Sequence, residues 1–294
     1  MIPAAFSVFQ SLWGMTHLPR GGPEWSIREK LDRIAEAGFA GIECDSGLAV
    51  GEAKAIGRLA RERGLALSAA MIVGDRESTR REYEWAMSQG AEHVTVQPFG
   101  AYLPLREARD RLAMMIEVGE EFGLPPTIET HRDRLTQSLP LTVQLAELLP
   151  GLRFTCDLSH YVVGSEVAWN DAAEFERMIG VVLARTGHFH GRISNGEQIQ
   201  IDVGDGSESD DAERFMRWWT QGMRAWRTDR ENIHRKLRFV VELGPYPYSP
   251  RAVAPSGRPE GEEFSDRWAQ ALVIKDLAES CWRQSEKPVP GEPV

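Results

Sequence analysis

The chain has 294 residues, 42% of them hydrophobic and 27% charged, which suits one large α/β domain or two smaller ones and excludes a disordered or fibrous protein. A net charge of −10 argues against nucleic acid or an anionic membrane as a partner. No apolar run reaches the roughly eighteen residues of a membrane span, and the start MIPAAFSVFQ lacks the basic stretch and cleavage site of a secretory leader. Three cysteines without metal-type spacing, Cys44, Cys156 and Cys281, exclude a disulfide framework and point to a reducing cytoplasm.

Apolar strand and amphipathic helix alternate at intervals of roughly thirty residues, the size of a βα unit. Strands are expected over 5–13, 39–45, 65–73, 92–98, 126–131, 152–158, 186–193 and 237–243. They are short and mostly apolar, as strands buried on both faces of a parallel sheet must be. Ser26 with Glu29 forms a capping box that starts a helix, with Ile34 and Ala37 on its apolar face and Gly38 closing it. Further helices are predicted over 51–64, ending at Gly64, and over 106–122, ending at Gly123 before Pro125 and Pro126. A Trp-rich helix covers 211–234 and a last one 263–284. Trp218, Trp219 and Trp226 recur at helical spacing, which suits packing on the barrel or on another subunit of a homo-oligomer. The expected layout is one (β/α)8 TIM barrel over 1–285, with a disordered Pro-rich tail over 286–294. An open doubly wound sheet is the competing topology, but no G-x-G-x-x-G or Walker-type loop supports it.

Polar residues at the ends of such strands need a reason, because buried unpaired carboxylates cost several kcal/mol each, on the order of ~3–5 when a partner is missing. The run I-E-T-H-R places Glu129 and His131 on one side of a strand, and T-C-D-L-S-H ends in Asp157 with His160 just beyond. The run G-H-F-H-G-R sets His188, His190 and Arg192 on one side, and V-V-E-L-G carries the single charge Glu242. Carboxylates and an imidazole converging on one barrel mouth would repel one another unless a cation joined them. Their oxygen and nitrogen donors suit one divalent ion, Mn²⁺, Mg²⁺, Co²⁺ or Zn²⁺. The ligand set is then Glu129, Asp157, His190 and Glu242. Trp13, ending the first strand, is placed to stack on a sugar ring. For His188 a satisfied core position competes with a role in the site. Arg132 and Arg134 read as solvated loop charges or helix-dipole partners, His17 and His93 as ordinary, and His234 as a surface residue.

With these motifs in this order, the chain resembles the xylose-isomerase-like superfamily, in particular its sugar phosphate isomerase/epimerase branch. The likeness runs from G-F-A-G-I-E at 38–43, through E-T-H-R at 129–132, D-x-x-H at 157–160 and H-x-H-x-R at 188–192, to V-V-E-L-G at 240–244. It implies the same four metal ligands, Glu129 and Glu242 as the pair that removes and returns a proton, and His160 as a substrate-binding histidine. Arg192 resembles the family residue that contacts substrate oxygens, and Gln198 a glutamine that follows the motif. His131 and His188 complete the expected substrate contacts. The chain departs from the ketose 3-epimerases at Gly191, Arg192 and Ile193, where those enzymes carry an acidic residue and an Asn-Arg pair.

The activity so implied is isomerisation or epimerisation of a small sugar-like molecule by proton abstraction next to a carbonyl, through an enediolate. Three competitors are a dehydratase acting on a cyclitol or polyol, an endonuclease acting at abasic DNA, and a non-catalytic sugar-binding barrel. The acidic charge and the scarcity of strand-end histidines weigh against the endonuclease.

Overall fold

The computed structural model describes residues 5–165, 172–229, 236–253 and 259–287. Eight parallel strands close into a barrel in chain order: β1 (Ala5–Ser11), β2 (Gly41–Cys44), β3 (Ala66–Val73), β4 (His93–Pro98), β5 (Thr127–Glu129), β6 (Phe154–Cys156), β7 (Thr186–Gly191) and β8 (Lys236–Val241). β8 pairs with β1 over six residues from Ala5↔Lys236 to Gln10↔Val241, which seals the ring and rules out the open sheet. Seven strands lie within the runs expected of them, and β8 begins one residue earlier, at Lys236.

The helices on the outside are α1 (Ile27–Glu36), α2 (Ile56–Arg61), α3 (Arg76–Gln89), α4 (Leu105–Glu121), α5 (Leu139–Leu148), α6 (Ser159–Ser165), α7 (Ala172–Leu183), α8 (Asp210–Thr228) and α9 (Arg267–Gln284). The Ser26–Glu29 capping box forms in both directions at the start of α1. Glycine ends α3 in the left-handed conformation (Gly90, φ 77°), where a side chain would be strained. The stretch 51–64 is less regular than expected, a 3-10 segment over Gly51–Ala55 followed by the short α2. A small antiparallel hairpin, β9 (Arg251–Val253) with β10 (Pro259–Glu263), follows β8 and was not foreseen. His234 and the tail beyond 287 lie outside the described residues.

The apolar core occupies the layer between strands and helices, not the barrel axis. Phe189 and Phe239 point outward and meet at 5.8 Å, and Trp219 stands edge-on to Phe239 at 4.9 Å. Trp218 and Trp219 are fully buried in this layer, so their side chains serve the barrel and not an outside partner. Strand alternation sends the intervening residues to the axis, and many of these are polar: Ser68, His93, Thr95, Thr127, Thr155 and His188 are all buried, alongside the apolar Phe9 and Val240. Branched apolar side chains usually fill that space. All three cysteines are free and buried. Among the described residues, no helix is long and apolar enough to cross a membrane.

Candidate metal centre and substrate cavity

Four side chains converge at the C-terminal end of the barrel. Glu129 ends β5, and its backbone carbonyl accepts the Thr136 hydroxyl at 2.5 Å, which pins the strand end. Asp157 follows β6, where its Oδ1 accepts the Ser159 backbone N–H at 3.0 Å and the Ser159 hydroxyl at 2.5 Å. His190 comes from β7, and Glu242 just past β8 is tied to that strand by its N–H to the Gly191 carbonyl, 3.2 Å. Gly191 has to lack a side chain, since a Cβ there would overlap the Phe239 ring.

One ligand atom from each of Glu129, Asp157, His190 and Glu242 lies within 4.8 Å of every other, and all four residues are buried. His190 Nδ1 stands 3.2 Å from Glu129 Oε1 and 3.3 Å from Glu242 Oε2. Yet neither Glu129 oxygen and neither His190 ring nitrogen has a partner at hydrogen-bonding geometry. Buried polar atoms are rarely left so. These orphaned donor atoms, hard oxygens with one imidazole, fit a divalent cation.

Electrostatics separate the two glutamates. Burial raises the pKa of Glu129, against the pull of His190. Burial also pushes Glu242 upward, but His190 and Arg192 outweigh it and hold this carboxyl well below its usual range. Arg192 is itself buried and donates to Asp157 Oδ2 at 3.1 Å and to Glu242 Oε2 at 2.5 Å. His190 is raised well above its ordinary value, because the charges of Glu43, Glu129 and Glu242 overcome desolvation.

A cavity of about 230 Å³ opens beside this cluster, lined among others by Trp13, Glu43, His131, Arg134, Glu242 and Tyr248. It is smaller than a drug-sized site of roughly 300–1,000 Å³ and suits a small molecule. Of the four clustered residues, Glu242 is the one on its wall, and Arg192 stands beside it. Trp13 and Tyr248 meet edge-on at 5.0 Å, and the Arg192 guanidinium lies 4.6 Å from the Tyr248 ring centre. Burial lowers the His131 pKa to about 4, so its ring is neutral at physiological pH.

Three expected substrate contacts stand elsewhere. His160 is buried behind the wall, its ring 3.8 Å from that of His131 and its Nε2 3.5 Å from Asp157 Oδ2. His188 sits one layer deeper, stacked on His93 at 4.2 Å, because two residues along β7 is one full step down the axis. Gln198 is exposed and faces a separate hollow shared with Gln200, Asp202 and Leu243. A turn held by Asn195 Oδ1, which accepts from the N–H groups of Glu197 and Gln198, carries it away. The glutamine that turns inward is Gln200, which pairs with both the N–H and the carbonyl of Gly244.

Sequence reasoning missed Glu43, Asp45, Gln97 and Tyr248 on the cavity wall, and took Arg134 there for a solvated loop charge or a helix-dipole partner. Glu43 carried the same signal as Glu242, a lone charge ending an apolar strand. Nothing in G-P-Y-P-Y-S-P separates Tyr248 from the more exposed Tyr246.

No protein-family model and no curated protein matches the sequence. Solved structures do match over almost the whole chain. One is a xylose isomerase-like TIM barrel protein from Mycobacterium smegmatis in complex with magnesium, 13% identical, covering 96% of this chain and 97% of that one at a TM-score of 0.57. What is shared is the TIM-barrel fold. A sugar phosphate isomerase/epimerase from Parabacteroides distasonis is 11% identical, with 97% and 96% covered and a TM-score of 0.59. The probable 3-DHS dehydratase AsbF from Bacillus anthracis is 13% identical, with 92% and 97% covered and a TM-score of 0.56. At these identities the likeness speaks for the barrel and not for a shared reaction.

Proposed function

We propose that this barrel is a divalent-metal-dependent isomerase or epimerase of a small sugar or sugar-like polyol, held by Glu129, Asp157, His190 and Glu242 around one cation. The observation that carries this reading is the convergence of buried ligand atoms from four separate strand ends within 4.8 Å of one another, with those of Glu129 and His190 left without hydrogen-bond partners. When bound, the cation would supply Lewis-acid stabilisation of the negative charge that develops on substrate oxygens. The chain's own groups divide the remaining work. Glu242, held ionised and facing the cavity, takes the proton next to the carbonyl. Glu129 is the partner carboxylate that returns a proton to the neighbouring carbon, so the pair removes and returns one proton. Arg192 steadies charge beside Glu242, and Trp13 with Tyr248 offers an apolar wall for a ring or carbon chain.

The test is a panel of ketoses, aldoses and cyclitols incubated with the Mn²⁺-supplemented protein in deuterated water. Deuterium entering a carbon next to a carbonyl, lost in Glu242→Gln, is the expected result. No exchange with any member would remove the reading. A product lighter by one water would convert it to a dehydratase.

A further inference from the structure

The polar axis of the barrel contains a hydrogen-bond chain with a fixed direction. The Ser68 hydroxyl donates to Glu43 Oε2 at 2.8 Å. Having spent its one proton there, Ser68 can only accept from His93 Nδ1, 3.1 Å away. A neutral His93 that donates from Nδ1 must accept at Nε2, where the Thr127 hydroxyl stands at 3.1 Å. Thr127 then accepts from Thr155 at 2.5 Å, and Thr155 from Thr95 at 3.1 Å. Every link points the same way and the chain ends on a carboxylate, which only accepts. The other oxygen of that carboxylate, Glu43 Oε1, lies 2.8 Å from His190 Nε2, at hydrogen-bond distance but off the line of the N–H, so a small turn of the ring completes the bond.

We infer that Glu43 is a positioning residue that fixes His190 as the Nε2–H tautomer and leaves the Nδ1 lone pair for the cation. This rests on the metal-centre reading above. His190 presents Nδ1 to Glu129 and Glu242 and Nε2 to Glu43, so the two ring nitrogens have separate tasks. An imidazole binds metal only through an unprotonated nitrogen, and the partner of the other nitrogen decides which one that is. Glu43 is 2% exposed and its outer side is engaged by Ser68, so it has little freedom to turn away. The polar axis thus holds in place the carboxylate that orients the metal-binding ring.

The experiment titrates the metal-stripped full-length protein with Mn²⁺ by calorimetry, comparing wild type, Glu43→Gln and Glu43→Ala at matched melting temperature. Removing such a partner costs about 10–100-fold in metal affinity. Glu43→Ala is expected at the upper end of that range. Glu43→Gln, whose amide oxygen can still accept from Nε2–H, is expected at the lower end and serves if the alanine variant does not fold. In ¹⁵N-histidine spectra of Mg²⁺-loaded protein, with His190 assigned through His190→Asn, the wild type should show a protonated Nε2, and Glu43→Ala a mixture of tautomers. A Mn²⁺ affinity within twofold of wild type in a folded Glu43 variant, or a protonated Nδ1 in the wild type, would overturn this inference alone. Two Mn²⁺ per chain, with Glu43→Ala losing one, would also overturn it by making Glu43 a ligand. If wild type binds no Mn²⁺, the metal-centre reading falls as well.

Discussion

His188 and His190 lie two residues apart on one strand, on the same side, both fully buried, yet they occupy different chemical worlds. His188 stacks on His93 and comes no closer to Glu43 than 3.8 Å, in a layer of hydroxyls and imidazoles. His190, one step up the axis, stands within 3.3 Å of Glu43, Glu129 and Glu242. Residue type, burial and orientation are shared. Depth along the barrel separates a position in the polar packing from a position at a charged centre.

The strongest way to break this contrast is to exchange both imidazoles in turn. His190→Asn should abolish stoichiometric Mn²⁺ binding, whereas His188→Asn should keep one ion per chain, as equilibrium dialysis with metal analysis would show. Equal losses would mean that depth does not sort the two. Between them Phe189 points outward into the shell, so Phe189→Ala should cost about 3–5 kcal/mol in denaturant unfolding while the folded fraction still binds one Mn²⁺. Adding Mn²⁺ to the chelator-treated protein at about 100 times its dissociation constant should stabilise the native state by about 2.7 kcal/mol. That gain, read as a rise in melting temperature, should vanish in His190→Asn and persist in His188→Asn. The smallest effect is expected far from the axis, where Ser26→Ala removes a helix cap for about 1 kcal/mol and leaves metal affinity unchanged.

The strands were legible because each is a short apolar run closed by glycine, proline or a charge, and burial on both faces permits little else. Glu129, Asp157, His190 and Glu242 were legible for the complementary reason, since a charge ending such a run conflicts with its surroundings. Glu43 raised the same conflict within G-I-E-C, but no nearby histidine in the sequence drew notice to it. Arg134 and Tyr248 reach the cavity from loops, where polar and aromatic residues conflict with nothing and carry no periodic signal. Gln198 misled because spacing after β7 does not reveal a turn; the Asn195 side chain, bonding to the backbone of Glu197 and Gln198, redirects the chain. His93 looked ordinary by sequence, and only the ring of strands brings it against Ser68 and Thr127.

Gly244 follows the last barrel strand, and a Cβ placed on it would overlap three carbons of the Trp13 indole. The aromatic wall of the chamber therefore leans directly on peptide backbone. A methyl group there would have to displace the indole, reshaping the chamber without altering any of the proposed metal ligands. The width of the chamber is in this way governed by a residue with no side chain, and Gly244→Ala should change that width, as the cavity around Trp13 in a structure of the variant would show.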